Sequence, residues 1–250
     1  MPKTLLMIHG VGCGGDAWDA MKPGFEAAGW TCDAPTLFSQ LRTIETPPTA
    51  IKDLSLQDYI DASAGRCRQI ARETGEKPAV IGHSMGGLIA QKLTEMGLVS
   101  KAVYLTPAQP KDCASVSLSV AFTFANILLK QDRGRPYKVW KTGFRWGVLN
   151  CVPKERHDEI YSQAHWDSGK VYGDLADGVE LDESKITVPT LTIAATKDRA
   201  TIAKAVRKLG DKLKKAPVPG DFKEYPDNAH WIVDEPGTDK VVADIVSWLG

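Results

Sequence analysis

Residues 79 to 90 read "AVIGHSMGGLIA": an apolar run, then Gly82-x-Ser84-x-Gly86, then the amphipathic run Leu88, Ile89, Leu93, Met96. A G-x-S-x-G match in isolation is weak, but here it closes a strand and opens a helix, the setting a nucleophile elbow requires. Such a turn forces Ser84 into a strained backbone conformation that exposes its hydroxyl, and side chains two residues before or after it would collide. The helix N-terminus behind it offers N–H groups to a developing oxyanion. The alternative is a tight strand-to-helix turn with an inert serine.

Outward from this stretch, strand-length apolar runs alternate with helical periods. Strands are expected at 4–9, 30–34, 79–83, 101–106, 190–196 and 222–226, and helices near 16–28, 56–74, 85–96, 200–214 and 238–249. Short, continuously apolar strands separated by helices imply an α/β fold: a doubly wound, mostly parallel sheet of about six strands, covered on both faces. Chemistry in such a sheet sits at the carboxyl ends of the strands.

From about 108 to 188 no main-sheet strand is expected, and the stretch is rich in aromatics, Phe122, Phe124, Tyr137, Trp140, Trp146, Trp166 and Tyr172 among them. It reads as a cap inserted over the carboxyl edge of the sheet, with the core formed by 1–107 and 189–250, because a structureless loop of that length is hard to accommodate. Val116, Leu118, Val120, Phe122 and Phe124 alternate like a strand, while "ANILLK" after them suits a helix, so its internal structure stays open. An apolar cap over a polar floor favours a small, uncharged, partly apolar substrate.

A serine needs a base, and the chain has five histidines. His230, in "EYPDNAHWIVDEP", falls in a loop between the last strand and the last helix, where an imidazole can swing over the carboxyl edge of the sheet. The imidazole needs a carboxylate to fix its tautomer. Asp198 closes the next-to-last strand and precedes a helix. Alone, such an aspartate reads as an N-cap; in the order Ser84, Asp198, His230 it reads as the third member of a triad. Asp112, after the strand ending at Thr106, is the secondary location for the acid.

These features together resemble the alpha/beta-hydrolase-fold superfamily, in its small, capped serine esterase and lactonase form. The likeness runs through "HGVGCGG", "GHSMGG", "KDR" and "NAHW" and covers nearly all of the chain outside the cap. The chain starts at the strand ending in His9, so the two leading strands common in the family are expected to be missing. The resemblance implies an oxyanion hole from the N–H groups of Val11 and Met85, and hydrolysis of an ester or lactone through an acyl-enzyme, with no metal or organic cofactor. Alternatives on the same fold are carbon–carbon bond hydrolases, hydroxynitrile lyases and small-ligand receptors that keep the triad. His165, Trp166, Trp231 and Phe122 are candidate substrate contacts.

The spacing Gly10-x-Gly12-x-x-Gly15, followed about twenty residues later by Asp33, also fits a dinucleotide-binding loop, the signature of an NAD(P)-dependent oxidoreductase. That reading leaves Ser84, Asp198 and His230 unexplained.

Composition narrows the partners. Thirty-one basic residues balance thirty-one acidic ones, so nothing points to nucleic acid or an anionic membrane surface. Five scattered cysteines lack C-x-x-C spacing and read as reduced, buried small side chains. "MPKTLLMIHG" has an apolar run too short for a signal-peptide core or a membrane span, so a cytoplasmic protein is expected. A homodimer stays open, since an apolar cap surface serves as interface or substrate wall alike.

Overall fold

The computed structural model describes residues 3–47, 49–115, 117–130 and 132–250. Six parallel strands form the main sheet: β1 (Lys3–Ile8), β2 (Trp30–Asp33), β3 (Ala79–His83), β4 (Ala102–Leu105), β7 (Thr190–Ala195) and β8 (Asp221–Tyr225), in the order β2-β1-β3-β4-β7-β8. The chain thus starts one strand in from an edge, adds β2 on that edge and then winds across the other way. Each parallel pairing needs a crossover, and the helices α1 (Lys22–Ala27), α2 (Leu56–Thr74), α3 (Met85–Glu95), α9 (Ala203–Leu213) and α10 (Thr238–Leu249) lie in those connections or after the last strand.

Both faces of the inner strands are dry, which is why β3 and β4 are buried throughout instead of alternating, while the edge strands β2 and β8 carry charged residues. Leu5, Met7, Ile81, Val103 and Ile193 pack with Phe25, Val241 and Ile245 of α1 and α10. Leu6, Ile8, Val80 and Tyr104 turn the other way, onto Tyr59, Leu88, Ile89 and Leu209 of α2, α3 and α9. α2 is framed by its own sequence: Ser55 and Asp58 form a capping box, and Gly75 ends it at φ 80.

The helix expected over 16–28 is split. A 3-10 turn over Gly15–Trp18 precedes α1, which starts with Pro23 in its first turn; proline suits a helix start and would break a helix interior. Between β4 and β7 the described residues add no strand to the main sheet. They form α4 (Leu118–Thr123), α5 (Ala125–Leu128), the two-residue antiparallel pair β5 (Pro136–Tyr137) and β6 (Asp167–Ser168), α6 (Lys141–Gly143), α7 (His157–Ser162) and α8 (Gly169–Asp177). The strand-like alternation from Leu118 to Phe124 is helical; Val116, its first member, lies outside the described residues. No described helix is long and apolar enough to cross a membrane.

Candidate active site

β3 ends at His83, and the chain reverses at Ser84, which has φ 55 and ψ −119. A non-glycine residue there is strained, and backbone hydrogen bonds hold it. Ser84 N–H donates to Leu105 O at 3.2 Å, and Ser84 O accepts from Gly87 and Ala108 at 2.9 and 2.8 Å. The flanking glycines are steric necessities: a Cβ on Gly82 would collide with Gly86 O, and one on Gly86 with Ile8 O. The hydroxyl therefore stands at the carboxyl edge of the central strands.

Two strands along, β7 leads to Asp198, which is buried. Its Oδ1 accepts the N–H groups of Ala200 and Thr201 at 2.7 and 2.8 Å. Its Oδ2 accepts from His230 Nδ1 at 2.9 Å and from the Thr201 hydroxyl at 2.8 Å. The capping role that an isolated aspartate suggests and the His230 partnership thus coexist, one oxygen for each. With Nδ1 donating to a carboxylate, the unprotonated nitrogen of a neutral His230 is Nε2.

The loop carrying His230 is held from beneath. Buried Glu235 accepts from Ala229 N–H and Asn228 Nδ2 at 2.6 and 3.0 Å, and burial raises its carboxyl pKa. His83 Nε2–H donates to His230 O at 2.8 Å, and the two rings lie 4.9 Å apart. Burial, then the neighbouring His230, pushes the His83 imidazole down to about 3, so it is a neutral strut.

Ser84, Val11, Met85 and Thr201 share one cavity of about 200 Å3. Most of its remaining wall is apolar, including Val120, Phe124, Ile127, Leu128 and Leu175, with Lys111 and Asp177 as charged members. The N–H groups of Val11 and Met85 have no protein acceptor among the described residues. Both residues line the same cavity as Ser84.

The four further candidates from sequence stand elsewhere, and none lines this cavity. Trp231 lies edge-on to His83, with centroids 6.1 Å apart, and borders a separate cavity with Phe144 and Arg156. Phe122 is 41% exposed and packs on Trp140 and Trp146. His165 and Trp166 use their backbone N–H groups to bind Gly12 O and Thr43 O at 2.8 and 3.1 Å. Asp112 lies on the surface with Lys212 at 2.7 Å, away from His230.

The glycine turn after β1 does not open onto a helix N-terminus able to cradle phosphates, because only the short 3-10 turn follows it. Asp33 is engaged by Arg66 Nε at 2.6 Å. Among the described residues no group of three or more His, Cys, Asp or Glu side chains is arranged to hold a metal ion.

Sequence reasoning missed Thr201 and the strut His83. Their neighbours in sequence, Asp198 and Ser84, were the only signal available.

The family model of the alpha/beta hydrolases matches residues 5–244, and the chain belongs to that family. Comparison with curated protein sequences returns no match. Among solved structures, a monoacylglycerol lipase of Paleococcus ferrophilus superposes with a TM-score of 0.70 at 21% identity, covering 100% of this chain and 95% of that one. A methylesterase from Arabidopsis gives 0.72 at 15% identity, covering 99% and 98%. Tomato methylketone synthase I gives 0.71 at 18%, covering 100% and 98%. At these identities the likeness is one of fold.

Proposed function

We propose that the protein is a serine hydrolase that cleaves the ester or lactone bond of a small, uncharged, partly apolar substrate. The observation that carries this reading is Ser84 on its positive-φ elbow at the edge where His230 is bonded to Asp198. Ser84 attacks the carbonyl carbon while His230 Nε2 takes its proton; Asp198 holds the imidazole and stabilises its charged form. The N–H groups of Val11 and Met85 receive the oxyanion. His230 returns the proton to the leaving alcohol, and a water activated by the same imidazole releases the acid and frees Ser84.

The segment 108–188 acts as the cap, since α4, α5 and α8 supply much of the apolar wall of the Ser84 cavity. That wall favours a substrate without net charge. The esterase and lipase names among the structural neighbours agree with hydrolysis, and the methylketone synthase among them means that fold alone does not fix the reaction.

The test is hydrolysis of short-chain p-nitrophenyl esters and simple lactones by wild type and Ser84→Ala, with a fluorophosphonate probe alongside. The wild type is expected to turn over esters and to be labelled once, and Ser84→Ala to do neither. Turnover that survives Ser84→Ala sinks the nucleophile assignment; tight ligand binding without turnover favours a receptor.

A further inference from the structure

Around Val11, the carbonyl of Gly10, both backbone groups of Gly12 and both of Cys13 are tied down. Gly10 O accepts from His9 Nδ1 at 2.9 Å and from Cys13 N–H at 3.2 Å. Gly12, at φ +71, donates its N–H to Asp167 Oδ2 at 3.0 Å and accepts His165 N–H at 2.8 Å. Arg42 Nη1 donates to Cys13 O at 2.6 Å. Two side chains supply the charged part of this clamp, Arg42 from the loop after β2 and Asp167 from β6. They meet at 2.9 Å, both side chains fully buried.

The carboxylate of Asp167 is saturated: Oδ2 takes Arg42 Nη2 and Gly12 N–H, and Oδ1 takes the Tyr59 hydroxyl at 2.7 Å and Ser168 N–H at 3.0 Å. Arg42 Nη1 also lies 3.2 Å from His9 Nε2, which accepts Leu37 N–H at 3.0 Å. A buried ion pair is a poor device for stability alone, because apolar residues of similar volume often serve as well. It differs from such residues in direction. Apolar side chains would fill the space but leave Gly12 N–H and Cys13 O without partners, and the Val11–Gly12 peptide would lose its side-chain anchor.

We infer that Arg42 and Asp167 are positioning residues for acyl transfer: their buried pair orients the turn that presents the Val11 N–H to the oxyanion, and ties that turn to the seating of residues 165–168. This rests on the serine-hydrolase reading above. The oxyanion donor is then formed only when the segment between β4 and β7 is docked on the core, so the cap supplies part of the alignment of the catalytic floor as well as the pocket wall.

The experiment compares wild type with Asp167→Asn, with Tyr59→Phe, which removes one donor without changing charge, and with the double substitution Arg42→Met and Asp167→Leu, which keeps bulk and removes both charges. Steady-state hydrolysis of a p-nitrophenyl ester is measured beside inhibition by a trifluoromethyl ketone of the same acyl group, which becomes an oxyanion only after Ser84 adds to it. Removal of an oxyanion donor costs about a hundredfold or more in rate, so a misoriented one should cost roughly ten- to a hundredfold. The expected result is that kcat falls by that factor in Asp167→Asn and the double variant and less in Tyr59→Phe. KM should stay within about threefold, and the inhibition constant should rise in proportion to the loss of kcat/KM. A purely structural role does not produce that proportionality.

If Asp167→Asn fails to fold, the other two variants decide. A folded double variant with wild-type kcat, or losses that appear in KM with the inhibitor unaffected, overturns the inference. If the ketone does not inhibit wild type and Ser84→Ala keeps turnover, the hydrolase reading falls and takes this one with it; inhibition of wild type without the proportional loss overturns this one alone.

Discussion

Thr201 shows how much of the site rests on one small side chain. Its hydroxyl lies 2.8 Å from Asp198 Oδ2 and 2.9 Å from Thr106 O, with His230 Nδ1 at 3.2 Å. A single O–H proton serves one acceptor at a time, Asp198 Oδ2 or Thr106 O, and in the proposed triad the first of these bonds steadies the carboxylate. Thr201→Val keeps the shape and removes that link, and a hydrogen bond to a charged group is worth about 2 kcal/mol. The expected outcome is a drop in kcat of roughly tenfold with KM little changed, read from steady-state ester hydrolysis. Asp198→Asn should be far worse, on the order of ten-thousandfold by analogy with triads generally, because the amide favours the wrong imidazole tautomer. Comparable losses from the two substitutions would argue that Asp198 is not the orienting acid.

At the scale of elements, the elbow between β3 and α3 has no slack. Gly82→Ala drives a methyl into Gly86 O, a backbone atom that cannot step aside. The expected cost is about 3 kcal/mol or more in urea unfolding, whereas Gly65→Ala, in open space on α2, should be neutral or slightly stabilising. A similar midpoint for both would mean that the elbow relaxes easily.

The same elements explain what was legible in the sequence. The six strands lie within a residue of their expected ends because continuous apolar runs such as Leu5–Ile8 and Thr190–Ala195 have only one place to go, between two layers of helices. Ser84, Asp198 and His230 stood out because each follows a strand at its carboxyl end. The segment after β4 was less readable: Leu118 to Phe124 satisfies a two-residue and a helical period equally well, and β5 and β6 are two residues long. The Arg42–Asp167 pair joins residues 125 apart, a contact that leaves no local pattern.

Across the whole molecule, the two glycine turns are each built over a buried neutral histidine, and that couples stability to acidity. Burial is the leading cause that lowers His9 well below its ordinary value, with Arg42 next, and it brings His83 from 6.5 down to about 3. A depressed folded-state pKa contributes stability above the unfolded value and loses it as pH falls. For His83 the loss runs from about 6.5 down to about 3. Between pH 7 and 5 the unfolded imidazole takes up a proton that the folded one refuses, which costs about 2 kcal/mol. Glu235 works in the opposite sense: its raised carboxyl pKa favours the fold at low pH and is a liability as pH rises. The net acid sensitivity is therefore smaller than the two histidines alone would give. Comparison with His83→Gln separates the contributions, since the substitution leaves Glu235 and His9 in place. It should lower stability at pH 7 through loss of the bond to His230 O, yet lose about 2 kcal/mol less than wild type between pH 7 and 5, as measured by urea unfolding. Parallel pH profiles for the two proteins would mean that His83 is protonated as readily in the fold as in the unfolded chain, and that the strut under His230 is a cation.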